Sequence, residues 1–303
     1  MKHLLLLIAV LSLTLPTPAQ EPPTTPPPTR PARQPRPPIV LAPDDKPAFP
    51  PAPAGFDKKR DNIERGKLET VEYDSKSVGN KRKMLVYTPP GYAADNKDKY
   101  PVLYLLHGIG GDESEWRRGG QVETVLDNLY ADKKIVPMIV VMPNGRAQPD
   151  DRAQGDVFRT APAFGKFDQD LLGSIIPFIE QKYTAKPDRE SRALAGLSMG
   201  GGQTLNFGLG NLDTFAWLGA FSSAPNTKPA DQLIPKPEDA AKQIKLLWIS
   251  CGDQDNLINI SQRTHAYLKE QKIPHIWHVD QGGKHDFAVW KNDLYLFSQK
   301  IFR

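Results

Sequence analysis

The sequence predicts an α/β fold built on a mostly parallel eight-stranded sheet flanked by helices. Two observations carry that expectation. Beyond about residue 56, short β-branched and apolar runs alternate with stretches whose apolar residues recur at helical spacing, the pattern of strands joined by crossover helices. The composition is also sufficient, because 39% hydrophobic residues and 9% aromatics over 303 residues allow one substantial core.

Strands are expected at 69–73, 83–88, 102–106, 138–142, 193–197, 217–222, 245–250 and 276–279. The first two have no helix between them and should pair antiparallel at an edge. The later ones are separated by helical patterns such as 167–183, which is what parallel neighbours require. No internal repeat is present.

The N-terminus has a different character. It begins MKHLLLLIAVLSLTLPTPAQ, with Lys2 before an apolar run from Leu4 to Leu15 and small residues ending at Ala19. Residues 1–19 are expected to be a cleaved export signal, because the run falls short of the roughly 20 apolar residues of a membrane anchor. With no cysteine nearby to carry a lipid, the mature protein is expected to be secreted or periplasmic without a membrane anchor. Residues 20–55 read as a disordered linker. Between residues 16 and 54 lie 16 of the chain's 30 prolines, and such a segment buries too little surface to offset the entropy of ordering it. The folded α/β domain is expected over 56–303.

A formal net charge of +4 without any dense Lys/Arg run gives no electrostatic footprint for nucleic acid, which is not expected as a partner. The single cysteine, Cys251, can form no internal disulfide and is expected to be a small packing residue at a strand end.

The chemistry begins at Gly196-Leu197-Ser198-Met199-Gly200, directly after the apolar strand RALAGL and before the helical run GGQTLNFGL. This is the layout of a nucleophile elbow, in which a serine sits on a strained strand-to-helix turn and needs small residues two positions away on each side. It points to the α/β-hydrolase fold with Ser198 as nucleophile. A serine hydroxyl is a weak nucleophile unless a base takes its proton and a carboxylate orients that base. In this fold serine, acid and histidine follow one another in the chain. Of six histidines, His285 alone lies in a loop after the final strand, within Gly282-Gly283-Lys284-His285-Asp286-Phe287. The acid belongs to Cys251-Gly252-Asp253-Gln254-Asp255-Asn256, where two carboxylates compete. Asp255 lies farther into the loop and is the expected partner of His285; Asp253 and Asp286 are expected to be structural. The oxyanion donors are expected to be the backbone amides of Met199 and, in His107-Gly108-Ile109-Gly110-Gly111, of Ile109. Trp116, just past those glycines, is the expected substrate contact, whereas Trp290 on a C-terminal helical pattern is expected to face the core. Without H-E-x-x-H or paired cysteines, neither metal nor other cofactor is expected.

From about Asn62 to its end the chain resembles the feruloyl esterases of carbohydrate esterase family 1, close to the esterase domains of bacterial xylanases. The matching segments are YLLHGIGGDESEW, VVMPNG, DLLGSIIPFIEQKY, RALAGLSMGGGQTLNFGL, SSAPNT, CGDQDNLI and GGKHDFAVW. The resemblance implies a triad of Ser198, Asp255 and His285, the second aspartate of GDQD being the one that aligns. It also implies oxyanion amides at Ile109 and Met199. The implied activity is hydrolysis of hydroxycinnamoyl esters on feruloylated arabinoxylan or related plant polysaccharide fragments, through an acyl-enzyme. Acetylxylan esterases share the motifs, and an acyltransferase could be built on the same fold, so these stand as alternatives. Lys284 departs from the small or neutral residue expected beside the base.

Overall fold

The computed structural model describes residues 38–303, so the expected export signal and the first part of the Pro-rich segment lie outside the described residues. All eight expected strands are present. In chain order they are β1 (Lys67–Ser75), β2 (Asn80–Thr88), β3 (Val102–Leu106), β4 (Ile139–Pro143), β5 (Arg192–Leu197), β6 (Trp217–Phe221), β7 (Leu246–Gly252) and β8 (Ile276–Asp280). They form one sheet in the order β1-β2-β4-β3-β5-β6-β7-β8. β1 pairs antiparallel with β2, β2 antiparallel with β4, and every pairing from β4 to β8 is parallel.

The helices are α1 (Glu115–Arg118), α2 (Val122–Ala131), α3 (Phe167–Asp170), α4 (Ile176–Lys182), α5 (Met199–Gln203), α6 (Ala230–Leu233), α7 (Pro237–Gln243), α8 (Ile258–Glu270) and α9 (Phe287–Ser298). The helix expected over 167–183 is α3 and α4 joined by one wide π turn at Leu171–Ile175. Central strands are apolar at nearly every position because both faces are covered. Thus Val102, Tyr104 and Leu106 of β3 enter a core with Phe167, Ile175 and Leu268, while Leu103 and Leu105 face a second core with Leu126, Leu129, Leu294 and Phe297. β1 and β2 outrun their expected bounds because their polar residues occupy solvent-facing positions between buried ones such as Val71, Tyr73 and Ser75. Among the described residues no helix is long and apolar enough to cross a membrane.

The Pro-rich segment requires a correction. The folded unit begins at Pro38, so residues 38–55 belong to it and are not a disordered linker. They form a strap along β8, the last strand of the sheet. The Val279 amide donates to the carbonyl of Lys46 at 3.2 Å, and the Ala48 amide donates to His278 Nδ1 at 3.1 Å. Asp45 accepts from Trp277 Nε1 at 2.9 Å, and the Ala52 amide donates to Asn292 Oδ1 at 2.7 Å. Phe49 stacks on Trp248 with ring centroids 5.8 Å apart, and Phe56 meets Tyr295 edge-on at 5.2 Å. Average composition hid these few anchors: prolines supply extended backbone lacking N–H donors, while Asp45, Phe49 and the adjoining Phe56 attach it.

Full truncation of a buried phenylalanine costs about 3–5 kcal/mol, and Phe49 is half-buried. Phe49→Ala should therefore lower unfolding free energy by about 1–3 kcal/mol, read from the urea midpoint at constant slope. An unchanged midpoint would mean that the strap is not bound in solution.

Candidate active site

The site is built on the C-terminal ends of β3, β5, β7 and β8. Ser198 follows β5 with φ 52° and ψ −115°, a left-handed conformation that β-carbon-bearing residues avoid. Neighbouring strands hold it there. The Ser198 amide donates to the carbonyl of Phe221 at 2.9 Å, and its carbonyl accepts from Ala224 at 3.0 Å. The flanking glycines are needed for space: a β-carbon on Gly196 would lie 2.7 Å from the Gly200 carbonyl, and one on Gly200 would lie 2.7 Å from the Leu106 carbonyl.

His285 and Asp255 arrive on two loops fastened to each other. The Gln254 amide donates to the Gly283 carbonyl at 2.8 Å and the Asp253 amide to the Asp280 carbonyl at 3.0 Å. The backbones pass so closely that a β-carbon on Gly252 would lie 2.2 Å from the Gly283 oxygen. This brings His285 Nδ1 within 2.7 Å of Asp255 Oδ2 and His285 Nε2 within 2.9 Å of Ser198 Oγ. With Nδ1–H donated to the carboxylate, Nε2 presents its lone pair to the serine hydroxyl. Trp290 is buried and meets the His285 ring edge-on at 4.9 Å, fixing its plane.

Asp255 is fully buried. Burial works to raise its pKa, but the hydrogen bond and charge of His285, with the Leu257 amide at 2.8 Å, outweigh burial and hold the carboxyl below its ordinary range. Asp253 makes no bond to His285. Asp286 caps α9 by accepting from the Ala288 amide at 2.9 Å, and Lys284 points to solvent.

Met199 and Ile109 flank Ser198 from α5 and from the loop after β3. Among the described residues neither amide has an acceptor within the protein. The Gly108 amide is occupied, donating to Glu115 Oε2 at 2.7 Å. His107 Nε2 accepts from the Gly145 amide at 2.8 Å, so its Nδ1–H donates to the Gly108 carbonyl at 2.7 Å. Burial pushes the His107 pKa down and keeps the ring neutral in that role.

Trp116 does not reach the site surface. It is 1% exposed, donates from Nε1 to the Leu106 carbonyl at 2.9 Å, and packs edge-on against Phe221 and Phe287. Its place in a short helix, with the indole turned inward to satisfy a carbonyl, makes it a support beneath the loop after β3. Beside Ser198 lies a small buried apolar cluster of Met199, Phe164 and Ala224, with the partly exposed Ile109, Ala161 and Leu257 packed against it. Phe164 and Ala161, in a 3-10 segment over Val157–Lys166, and Ala224 and Leu257, in loops, escaped sequence reasoning because none lies on an element whose 2.0 or 3.6 residue period marks its faces.

Among the described residues one His/Asp grouping is close enough to hold a metal, His278 with Asp280 and Asp293. His278 Nδ1 already accepts from Ala48, which places the ring hydrogen on Nε2, 3.5 Å from Asp280. The cluster thus offers a donor where a metal needs a lone pair. Burial, with the nearby Asp280 charge, raises the Asp293 pKa far above the carboxylate range.

Comparison with known proteins agrees with this geometry. The Esterase family model, described as "Putative esterase", matches residues 75–298. The chain belongs to this esterase family. The esterase is 33% identical over 248 residues to the endo-1,4-beta-xylanase/feruloyl esterase of Xylanibacter ruminicola, across 80% of this chain and 32% of that protein. It therefore spans about a third of that relative's length. It is also 24% identical over 231 residues to the acetyl esterase of Caldicellulosiruptor saccharolyticus, covering 64% of this chain and 80% of that one. In structure it resembles the ferulic acid esterase of Anaeromyces mucronatus, with TM-score 0.73, 26% identity, and coverage of 83% of this chain and 96% of that one.

The low pKa of Asp255 has a definite sign. A carboxyl depressed in the folded state stabilises the fold above its unfolded pKa, about 4, and that contribution fades as pH falls toward the folded value. Asp255→Asn should accordingly flatten the loss of stability below about pH 4, measured by urea midpoints across pH 3–6. The same substitution should lower kcat by roughly 10⁴-fold, through the wrong imidazole tautomer.

Proposed function

We propose that the protein is an exported serine carboxylesterase that hydrolyses hydroxycinnamoyl esters, chiefly feruloyl esters, on plant cell-wall xylan. The observation that carries the reading is the continuous relay from Ser198 Oγ through His285 to Asp255, with contacts of 2.9 and 2.7 Å. As Ser198 attacks the ester carbonyl, His285 Nε2 takes its proton and Asp255 stabilises the imidazolium. The carbonyl oxygen becomes an oxyanion facing the amides of Met199 and Ile109. Collapse breaks the bond to the sugar oxygen, which leaves with the proton from Nε2, and the acyl group stays on Ser198. Water then attacks the acyl-enzyme, its proton passing to His285, and collapse returns that proton to Ser198 as the carboxylic acid departs.

The acyl preference is supported by the feruloyl relatives and by the partly exposed apolar side chains of Ile109, Ala161 and Leu257, which could meet an aromatic ring. Relatedness to an acetyl esterase supports the second reading, a short-acyl esterase on the same triad. The signal-like sequence of residues 1–19 supports export.

The test compares kcat/KM for methyl ferulate and 4-nitrophenyl acetate, with Ser198→Ala as blank. Preference for the ferulate is expected, with turnover in the variant reduced by roughly 10⁴–10⁶-fold. Activity on the acetate alone would move the assignment to the second reading. Turnover surviving in Ser198→Ala would remove the nucleophile.

A further inference from the structure

Arg146 lies in the turn after β4 and is completely buried, yet among the described residues it makes no ion pair. Its guanidinium donates to the carbonyl of Ile109, to that of Gly111 at 3.4 Å, to that of Asp151 at 3.1 Å and to Thr160 Oγ1 at 3.1 Å. The cation also lies over the Phe164 ring, 5.0 Å from its centroid. A buried cation without a carboxylate partner is costly, and an apolar side chain of similar volume would fill the space at lower cost. What the guanidinium adds is a grip on two carbonyls of the loop after β3.

That grip has a geometric consequence. In a planar trans peptide the C=O and the following N–H point in opposite directions. His107 holds the Gly108 carbonyl, which directs the Ile109 amide away from His107. Arg146 holds the Ile109 carbonyl, which fixes the next peptide as well. Both peptides flanking Ile109 are clamped from their carbonyl sides. The clamp itself is anchored, because Arg82 donates to the backbone carbonyls of Asn144 at 2.9 Å and Arg146 at 2.7 Å, and pairs with the fully buried Asp170.

Building on the proposed serine mechanism, we propose that Arg146 is a positioning residue that presets the Ile109 amide for the oxyanion. It touches neither substrate nor Ser198. It holds the donor in place before the reaction, so no reorganisation is needed as charge develops, and its own charge behind the loop favours the negative oxygen. The benefit belongs to the transition state, so kcat should fall on its removal while KM stays nearly constant.

The experiment uses the full chain with Arg146→Met and Arg146→Lys, and Ser198→Ala in parallel. Losing one whole oxyanion donor costs about 10²–10³-fold in kcat, so loosening one should cost about 10–100-fold in Arg146→Met. Arg146→Lys, which keeps the charge and loses the fork, should fall between it and the parent. KM should stay within about threefold. Affinity for a boronic acid, which forms a tetrahedral adduct on the serine, should drop in step with kcat/KM while affinity for the product carboxylate holds. Should Arg146→Met not fold, the Lys variant carries the same comparison. Unchanged kcat and boronate affinity in a folded variant would overturn the proposal, as would equal weakening of boronate and carboxylate with a lowered melting temperature. Failure of the serine reading is separately visible as turnover retained by Ser198→Ala.

Discussion

The backbone of Ser198 is the constraint on which the site depends. A side chain held at φ 52° is unfavourable locally, by about 1–3 kcal/mol, and persists because the surrounding sheet over-determines it. β6 takes the serine amide, Ala224 takes its carbonyl, and the glycines on either side let β3 and α5 close to backbone contact. The reactive oxygen therefore stands clear of the strand ends at the one place where loops from β3, β7 and β8 converge. The strain is carried by the most deeply buried strands of the molecule, where local relaxation is resisted from both faces.

Around that point each loop is fixed by backbone hydrogen bonds more than by its own side-chain packing. The loops carrying Asp255 and His285 hold one another through Gln254 and Gly283, and the loop after β3 is held by His107, Glu115 and Arg146. The Gln254–Gly283 and Arg146–Ile109 contacts cross between segments far apart in the chain, while those of His107 and Glu115 are local. Precision at the site thus comes from the sheet order, which puts β3 beside β5 and β7 beside β8, and from polar groups buried where their partners are already arranged.

Much of this was legible in the sequence because the signals were local. A strand buried on both faces is apolar along nearly its whole length, so β3, β5 and β7 announced themselves. The elbow is a five-residue pattern, and chain order then singled out His285. Asp255 could be separated from Asp253 by position in the loop, and the structure pairs it with His285. Trp116 misled for a physical reason: an indole near a glycine loop can face substrate or core, and only the Leu106 carbonyl decides, a partner ten residues back across the sheet. The strap failed by averaging, since its proline content masks anchors that act singly. Arg146 carries no pattern at all, because an isolated arginine after a strand usually marks the surface, and here its partners include carbonyls of its own loop and of the loop after β3.

The strap along β8 and the charges along β1 have a joint consequence for how the molecule behaves among copies of itself. A twisted sheet ends in two rows of backbone groups on which a neighbouring chain can template further strands. At one end Lys46 and Ala48 hold down the outer margin of β8. At the other, Glu72 and Asp74 project to solvent across from Lys83 and Lys81. The two ends are guarded by different means, one covalently attached and one electrostatic, so salt weakens only the second. Crowded, saline surroundings would test fibril-type self-association at β1 while β8 stays closed.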